Sequence, residues 1–246
     1  MRTGNPALNE KTFQQFHLPD TSVTMTLDGT VLKTGVLLLL VVVAAAFSWG
    51  ELAGQAPLAI PFLLGGLLGG LVFALVTIFK PVWSPVTAPL YAVFEGAFLG
   101  AISLMFNGAY PGIVFQAVVL TFGTLFALLI AYRSGLIRAT ENFKLGVSAA
   151  TGGVCMVYLT SFVLGFFGVG IPYIHESGGV GIGFSLVVVV IAALNLVLDF
   201  DFIEKGVESG APKYMEWYGA FGLLITLIWL YLEILRLLAK LQSRRN

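Results

Sequence analysis

The sequence predicts an all-α, polytopic membrane protein with seven transmembrane helices. Two observations carry that expectation. Of 246 residues, 58% are apolar and only 11% are charged, where a soluble domain carries roughly a quarter charged residues. The apolar residues also fall into seven stretches that meet the length of about 20 residues needed to cross a bilayer as a helix. Acids and bases balance at 13 each, so no excess of positive charge points to nucleic acid as a partner. The single cysteine, Cys155, excludes an internal disulfide framework and a cysteine-ligated metal, and reads as a small buried apolar residue.

The seven stretches lie near 34–49, 57–79, 85–106, 113–132, 145–169, 178–200 and 217–239. Residues 1–30 are polar and mixed in charge, and read as a short soluble cytoplasmic tail ahead of a membrane domain over 31–246. The apolar run begins too far from Met1 for a cleaved signal peptide. Glycines recur within the spans, at Gly65-Gly66, Gly69-Gly70, Gly96 and Gly100. Small residues four apart let helices approach closely in lipid. Gly152-Gly153 reads as the same packing device, because no following Lys-Ser or Lys-Thr completes a phosphate loop.

Orientation follows the basic residues in the connections. Arg2, Lys11 and Lys33 precede or open the first span, Lys80 lies in the second connection, Arg133, Arg138 and Lys144 in the fourth, Lys205 and Lys213 in the sixth. The first and third connections have none, and the fifth has only His175. This alternation predicts a cytoplasmic N-terminus. Arg236, Lys240, Arg244 and Arg245 run against it if the last segment crosses fully.

Candidate functional residues are the acids that apolar runs carry. From Gly178 to Leu198 no residue is charged, and then Asp199 follows, flanked by Leu198 and Phe200. A carboxylate at such depth costs free energy unless it is protonated, paired or bound to a cation. Asn195 stands one helical turn earlier on the same face and can offer oxygens to the same cavity. Asp201, Glu204 and Glu208 read more simply as acids where a helix ends in water, with Asp201 facing another way from Asp199. Glu95 falls about ten residues into the third span, where desolvation works against its charged form. It serves equally as a hydrogen-bonded neutral carboxyl or as a group lining a cation path. Glu233 has Arg236 three residues on, so an intrahelical ion pair is available, and charges in such helices turn inward. Two acids suit a hard cation such as calcium, and two close acids share a proton and titrate as a unit. No His-Glu-x-x-His and no Gly-x-Ser-x-Gly is present, and His17 and His175 are the two histidines, both outside the spans. An enzyme is not expected, and neither is a cofactor apart from calcium as a transported or transiently bound ion.

In three places the chain resembles the Bax-inhibitor-type membrane proteins, the transmembrane Bax inhibitor motif family, and most of all their longer bacterial branch. These are Arg2-Thr3-Gly4-Asn5-Pro6-Ala7-Leu8, the stretch from Lys80-Pro81 through Ser84-Pro85, Ala88-Pro89 and Tyr91 to Glu95-Gly96 and Leu99-Gly100, and Asn195 to Asp201 resuming at Ala211-Pro212-Lys213-Tyr214-Met215-Glu216-Trp217-Tyr218. The resemblance implies seven helices with the last one central, in a bacterial inner membrane. It also implies a pH-dependent calcium leak, in which aspartates on the sixth and seventh helices share a proton and form a latch with an arginine. Asp199 corresponds to the sixth-helix acid. In Leu230-Tyr231-Leu232-Glu233 a glutamate replaces the seventh-helix aspartate. Simple distance from the turn near 206–213 favours Glu216 as the partner of Asp199 instead, because Glu233 is displaced by roughly 20 Å along straight helices. Lys80, by position, and Arg236 are the cation candidates for the latch. The expected function is therefore a pH-sensitive passive calcium leak whose ion site uses Asp199 and Glu233, with Asn195 and Glu95 along the path. The alternative is a non-conducting adaptor that restrains a membrane protease or another membrane partner.

Overall fold

The computed structural model describes residues 24–54, 59–168 and 176–244. Its helices are α1 (Leu27–Gly54), α2 (Ala59–Phe79), α3 (Ser84–Ala109), α4 (Ile113–Arg133), α5 (Glu141–Phe166), α6 (Gly179–Glu208) and α7 (Met215–Ser243), with a 3-10 turn over Pro81–Trp83. Each of the seven is long and apolar enough to cross a membrane. Among the described residues there is no strand, and extended pairing is limited to an isolated bridge between Thr24 and Pro212. The chain is thus an all-α, multi-pass membrane protein. Most of the tail, including His17, lies outside the described residues, as do His175 and Arg245.

The breaks between helices have local causes. Pro81 lacks the N–H that would continue α2, and it opens the 3-10 turn instead. Gly112, at φ 83°, supplies the left-handed residue from which α4 starts. The Thr140 side chain accepts from the Phe143 N–H and caps α5, with Glu141 in the first turn.

Four expectations about element ends and faces change. The first helix starts at Leu27, inside the range assigned to the tail. The sixth runs on to Glu208, so Asp201 does not sit at a fraying end but forms an i,i+4 ion pair with Lys205 at 2.8 Å. Glu204 and Glu208 are exposed, as expected of acids in water. Cys155 is exposed rather than buried, because it sits on α5, where only 11% of the most apolar stretch is covered. The same openness overturns the packing role of Gly152 and Gly153, since nothing lies within 4 Å of where their Cβ atoms would be.

Burial is concentrated on α7. Of its most apolar stretch 61% is covered, against 39% for α3 and α6 and 22% or less for the others.

The chain divides into two compact units. The first contains residues 112–200 and 226–244 of the described chain, and the second residues 24–111 and 201–225. In the second unit α3 packs on both α1 and α2. Glycines permit it: a Cβ on Gly96 would stand 2.6 Å from the Val41 carbonyl oxygen, and one on Gly66 would stand 2.7 Å from the Phe98 nitrogen. Gly100 meets the backbone of Ala45 in the same way.

Candidate functional site

In the first unit, α6 buries a continuous run from Asn195 to Phe200. Asp199 is 0% exposed, and Leu196, Val197 and Leu198 around it are as completely covered. The helix therefore carries its carboxylate into a fully enclosed position, as the break in the uncharged run suggested. Asn195, also buried, donates through Nδ2 to Thr151 Oγ1 of α5 at 2.8 Å and to its own helix at Ile191 O. Its amide ties α6 to α5 one turn before the acid.

Also within the first unit, α7 carries a polar stripe at Glu233, Arg236 and Lys240, spaced so that the three share one helical face. Glu233 is 2% exposed. It takes 2.8 and 3.0 Å hydrogen bonds from Arg236 Nη1 and a 2.9 Å bond from the Tyr158 hydroxyl of α5. Arg236 Nη1 also donates to that hydroxyl at 2.7 Å, and its guanidinium lies over the ring, 5.2 Å from the centroid. The intrahelical pair foreseen from spacing is therefore part of a triad with a second helix. Lys240, buried, donates to Gly181 O at 3.0 Å and Ser185 Oγ at 2.9 Å on α6.

That last contact sets a register. Counting along straight antiparallel helices from Lys240, Glu233 stands roughly 10 Å away and Asp199 roughly 24 Å away, at about 1.5 Å per residue. The two buried acids therefore occupy different levels, about 14 Å apart along the helix axes. Ser185, Tyr158 and Thr151 are not foreseen from the sequence, and Lys240 stands out there only as a charge against the orientation pattern. Hydroxyls are common in apolar spans, and nothing in their spacing singles these out.

In the second unit, Glu216 at the start of α7 is 0% exposed and surrounded by donors. It accepts from the Thr26 N–H and hydroxyl at 2.9 Å each, pairs with Lys213 at 2.7 Å, and pairs with Lys33. Lys33 also lies 5.7 Å from the centroid of the Trp217 ring. Four donors stabilise the ionised carboxylate, two of them from Thr26 and one from Lys33, far from Glu216 along the chain. Glu95 is 9% exposed at mid-α3, with its carboxyl against α2: a Cβ on Gly70 would lie 2.6 Å from Oε2. Lys80 is exposed between α2 and α3. Asp201 holds Lys205, as described.

Among the described residues, no three His, Cys, Asp or Glu side chains gather where they could hold a metal ion. The first unit thus holds two buried carboxylates in apolar helix, Asp199 and Glu233, with one guanidinium bound to the second. Such groups can accept a proton or replace part of a cation's hydration shell. A family model described as Bax inhibitor 1 like matches residues 5–243 of the chain. No curated protein and no solved structure matches it at a significant level.

Proposed function

We propose that this chain, which belongs to the Bax inhibitor 1 like family, is a passive, pH-sensitive leak for calcium or a similar hard cation. The observation that carries the reading is Asp199, a carboxylate with 0% exposure in the second half of a membrane-spanning helix. Retaining such a group is costly unless its proton or its counter-ion has a task. Asp199 is the core of the sensor. Glu233 is the second acid, and Arg236 acts as its internal cation. With the acids ionised, Arg236 and the helix-to-helix hydrogen bonds hold the path shut. Protonation weakens Glu233's hold on Arg236, and flux rises. Asn195, one turn before Asp199, offers an oxygen along the way. The alternation of basic connections supports a cytoplasmic N-terminus, and the family resemblance supports a bacterial inner membrane.

Calcium uptake into liposomes containing the purified protein, measured near pH 6 and pH 8, tests the proposal. Greater uptake at the lower pH is expected, with Asp199→Asn abolishing the pH response. If the wild-type protein passes no cation at either pH, the leak reading is wrong and a non-conducting adaptor becomes the better account. If Asp199→Asn leaves both flux and its pH response intact, the sensor lies elsewhere.

A further inference from the structure

In the second unit α3 packs on both α1 and α2, and between those two helices lies a groove of about 560 Å³. Phe94 and Ala97 of α3 line its floor, Leu40 and Phe47 its α1 side, and Phe62 and Gly65 its α2 side. Every residue that lines it is apolar. Leu40 lies about 20 Å along α1 from Leu27, and Phe62 and Gly65 fall in the first two turns of α2. The groove therefore runs from mid-span toward the end at which α2 starts. There the rings of Phe47 and Phe62 meet across it, 6.4 Å between centroids. Its flank is open, with Val43 58% and Val93 42% exposed. The two glycines on the α2 side differ. A Cβ on Gly66 would press on the Phe98 nitrogen, whereas one on Gly65 meets nothing within 4 Å. Gly66 serves the packing of α2 on α3, and the space before Gly65 serves no contact within the protein.

We propose that this groove seats one acyl chain of a membrane phospholipid. The three helices that form it are membrane-spanning, so its open flank faces hydrocarbon. Water gains no hydrogen bond on an apolar lining. A helix of another protein, about 10–12 Å across with its side chains, does not enter without parting the Phe47–Phe62 rings. A single hydrocarbon chain is narrow enough to lie along the floor beneath them. Lipid tails are as apolar as leucine, so no hydrophobic gain draws a chain in. Shape supplies the preference: in the groove a chain touches atoms on three sides, and against an open helix face on one. With its headgroup at the end where α2 starts, such a chain carries its methyl end down to Leu40 and Phe94. The site is independent of whether the protein conducts ions.

The probe is a phosphatidylcholine with a diazirine near the methyl end of one chain, a minor component of nanodiscs of unlabelled phosphatidylcholine holding one copy of the protein. Adducts are mapped by mass spectrometry of peptides. Leu159, 54% exposed near the middle of the apolar stretch of α5, reports labelling by bulk lipid. Adducts at Leu40 and Phe94 are expected to exceed those at Leu159 roughly threefold, the preference that about five additional carbon–carbon contacts give. Gly65→Trp places an indole in the groove and should remove the excess. Gly146→Trp, in equally open space on α5, should leave it unchanged. Equal labelling of groove and open face in the wild type overturns the proposal, and this comparison stands even where Gly65→Trp does not fold. An excess that survives Gly65→Trp, or that Gly146→Trp also removes, overturns it as well. Labelling of the groove below that of Leu159 would mean that protein rather than lipid fills it.

Discussion

The carboxylate of Glu216 occupies the space that any side chain at residue 29 would need, and Gly29 is what leaves it free. The reason lies in how α1 begins. Thr26 caps that helix by accepting the Gly29 N–H at 3.0 Å. In a common capping arrangement the residue at that third position is Glu or Gln, whose side chain reaches back to the N–H of the cap. Here the third position is a glycine, and the reaching-back is done by Glu216 from α7.

Gly29→Ala should therefore evict a buried carboxylate from its donors. We expect a loss of about 2 kcal/mol, seen as a lower melting temperature in detergent. Gly35→Ala, on the same helix with nothing within 4 Å, should be harmless. Equal effects of the two substitutions would show that the Glu216 clasp contributes nothing to stability.

Glycines in the spans should divide by what faces them. Gly100→Ala pushes against the backbone of Ala45 and should cost about 1–3 kcal/mol by forcing α1 and α3 apart. Gly146→Ala on α5 meets open space and should stabilise by up to about 1 kcal/mol through helix propensity alone. Unfolding titrations of the two variants in mixed micelles would reveal the opposite signs.

The Asn195–Thr151 bond links α6 to α5 at 2.8 Å. Interhelical hydrogen bonds of this kind contribute about 0.6 kcal/mol on average in membranes, with a ceiling near 1.7. A double-mutant cycle of Asn195→Ala and Thr151→Ala should give a coupling energy in that range. A value near zero would mean that Asn195 serves its own helix alone, through Ile191 O.

Tyr214 lies in the connection before α7, outside the spans, and burial pushes its phenol up to about 12. An unfolded tyrosine ionises near 10, so the folded protein holds this proton more tightly than the unfolded chain does. Its contribution to stability is complete below about pH 10 and is lost as the pH rises toward 12. Melting temperatures taken across that window should fall more steeply for the wild type than for Tyr214→Phe. Parallel curves would show that Tyr214 is not the group responsible.

The spans were legible because an apolar run of about 20 residues has few alternatives to a membrane helix. Their ends were less so, and the reason is tertiary. The start of α1 depends on Glu216, 190 residues away, and the last turns of α6 include the Asp201–Lys205 pair that a reading of acids as a helix end discounts. Asp199 and Glu233 stood out because charge is conspicuous against leucine and phenylalanine. Tyr158, Thr151 and Ser185 did not, since a hydroxyl in a span signals nothing until its partner is known. Glu216 was singled out by its distance from the turn, which says nothing about the two lysines and the threonine that converge on it.

From Gly179 to Glu208, α6 is one unbroken helix, so the azimuth and height of Asp199 follow from counting residues. Each residue turns the helix by about 100° and advances it by about 1.5 Å. One residue inserted between Asn195 and Asp199 would keep every candidate side chain and leave the mean hydropathy almost unchanged. It would nonetheless rotate the carboxylate by more than a quarter-turn relative to the Asn195–Thr151 bond on the same helix. The placement of this carboxylate is in this sense a matter of phase, open to disruption by a change of length that alters no chemistry.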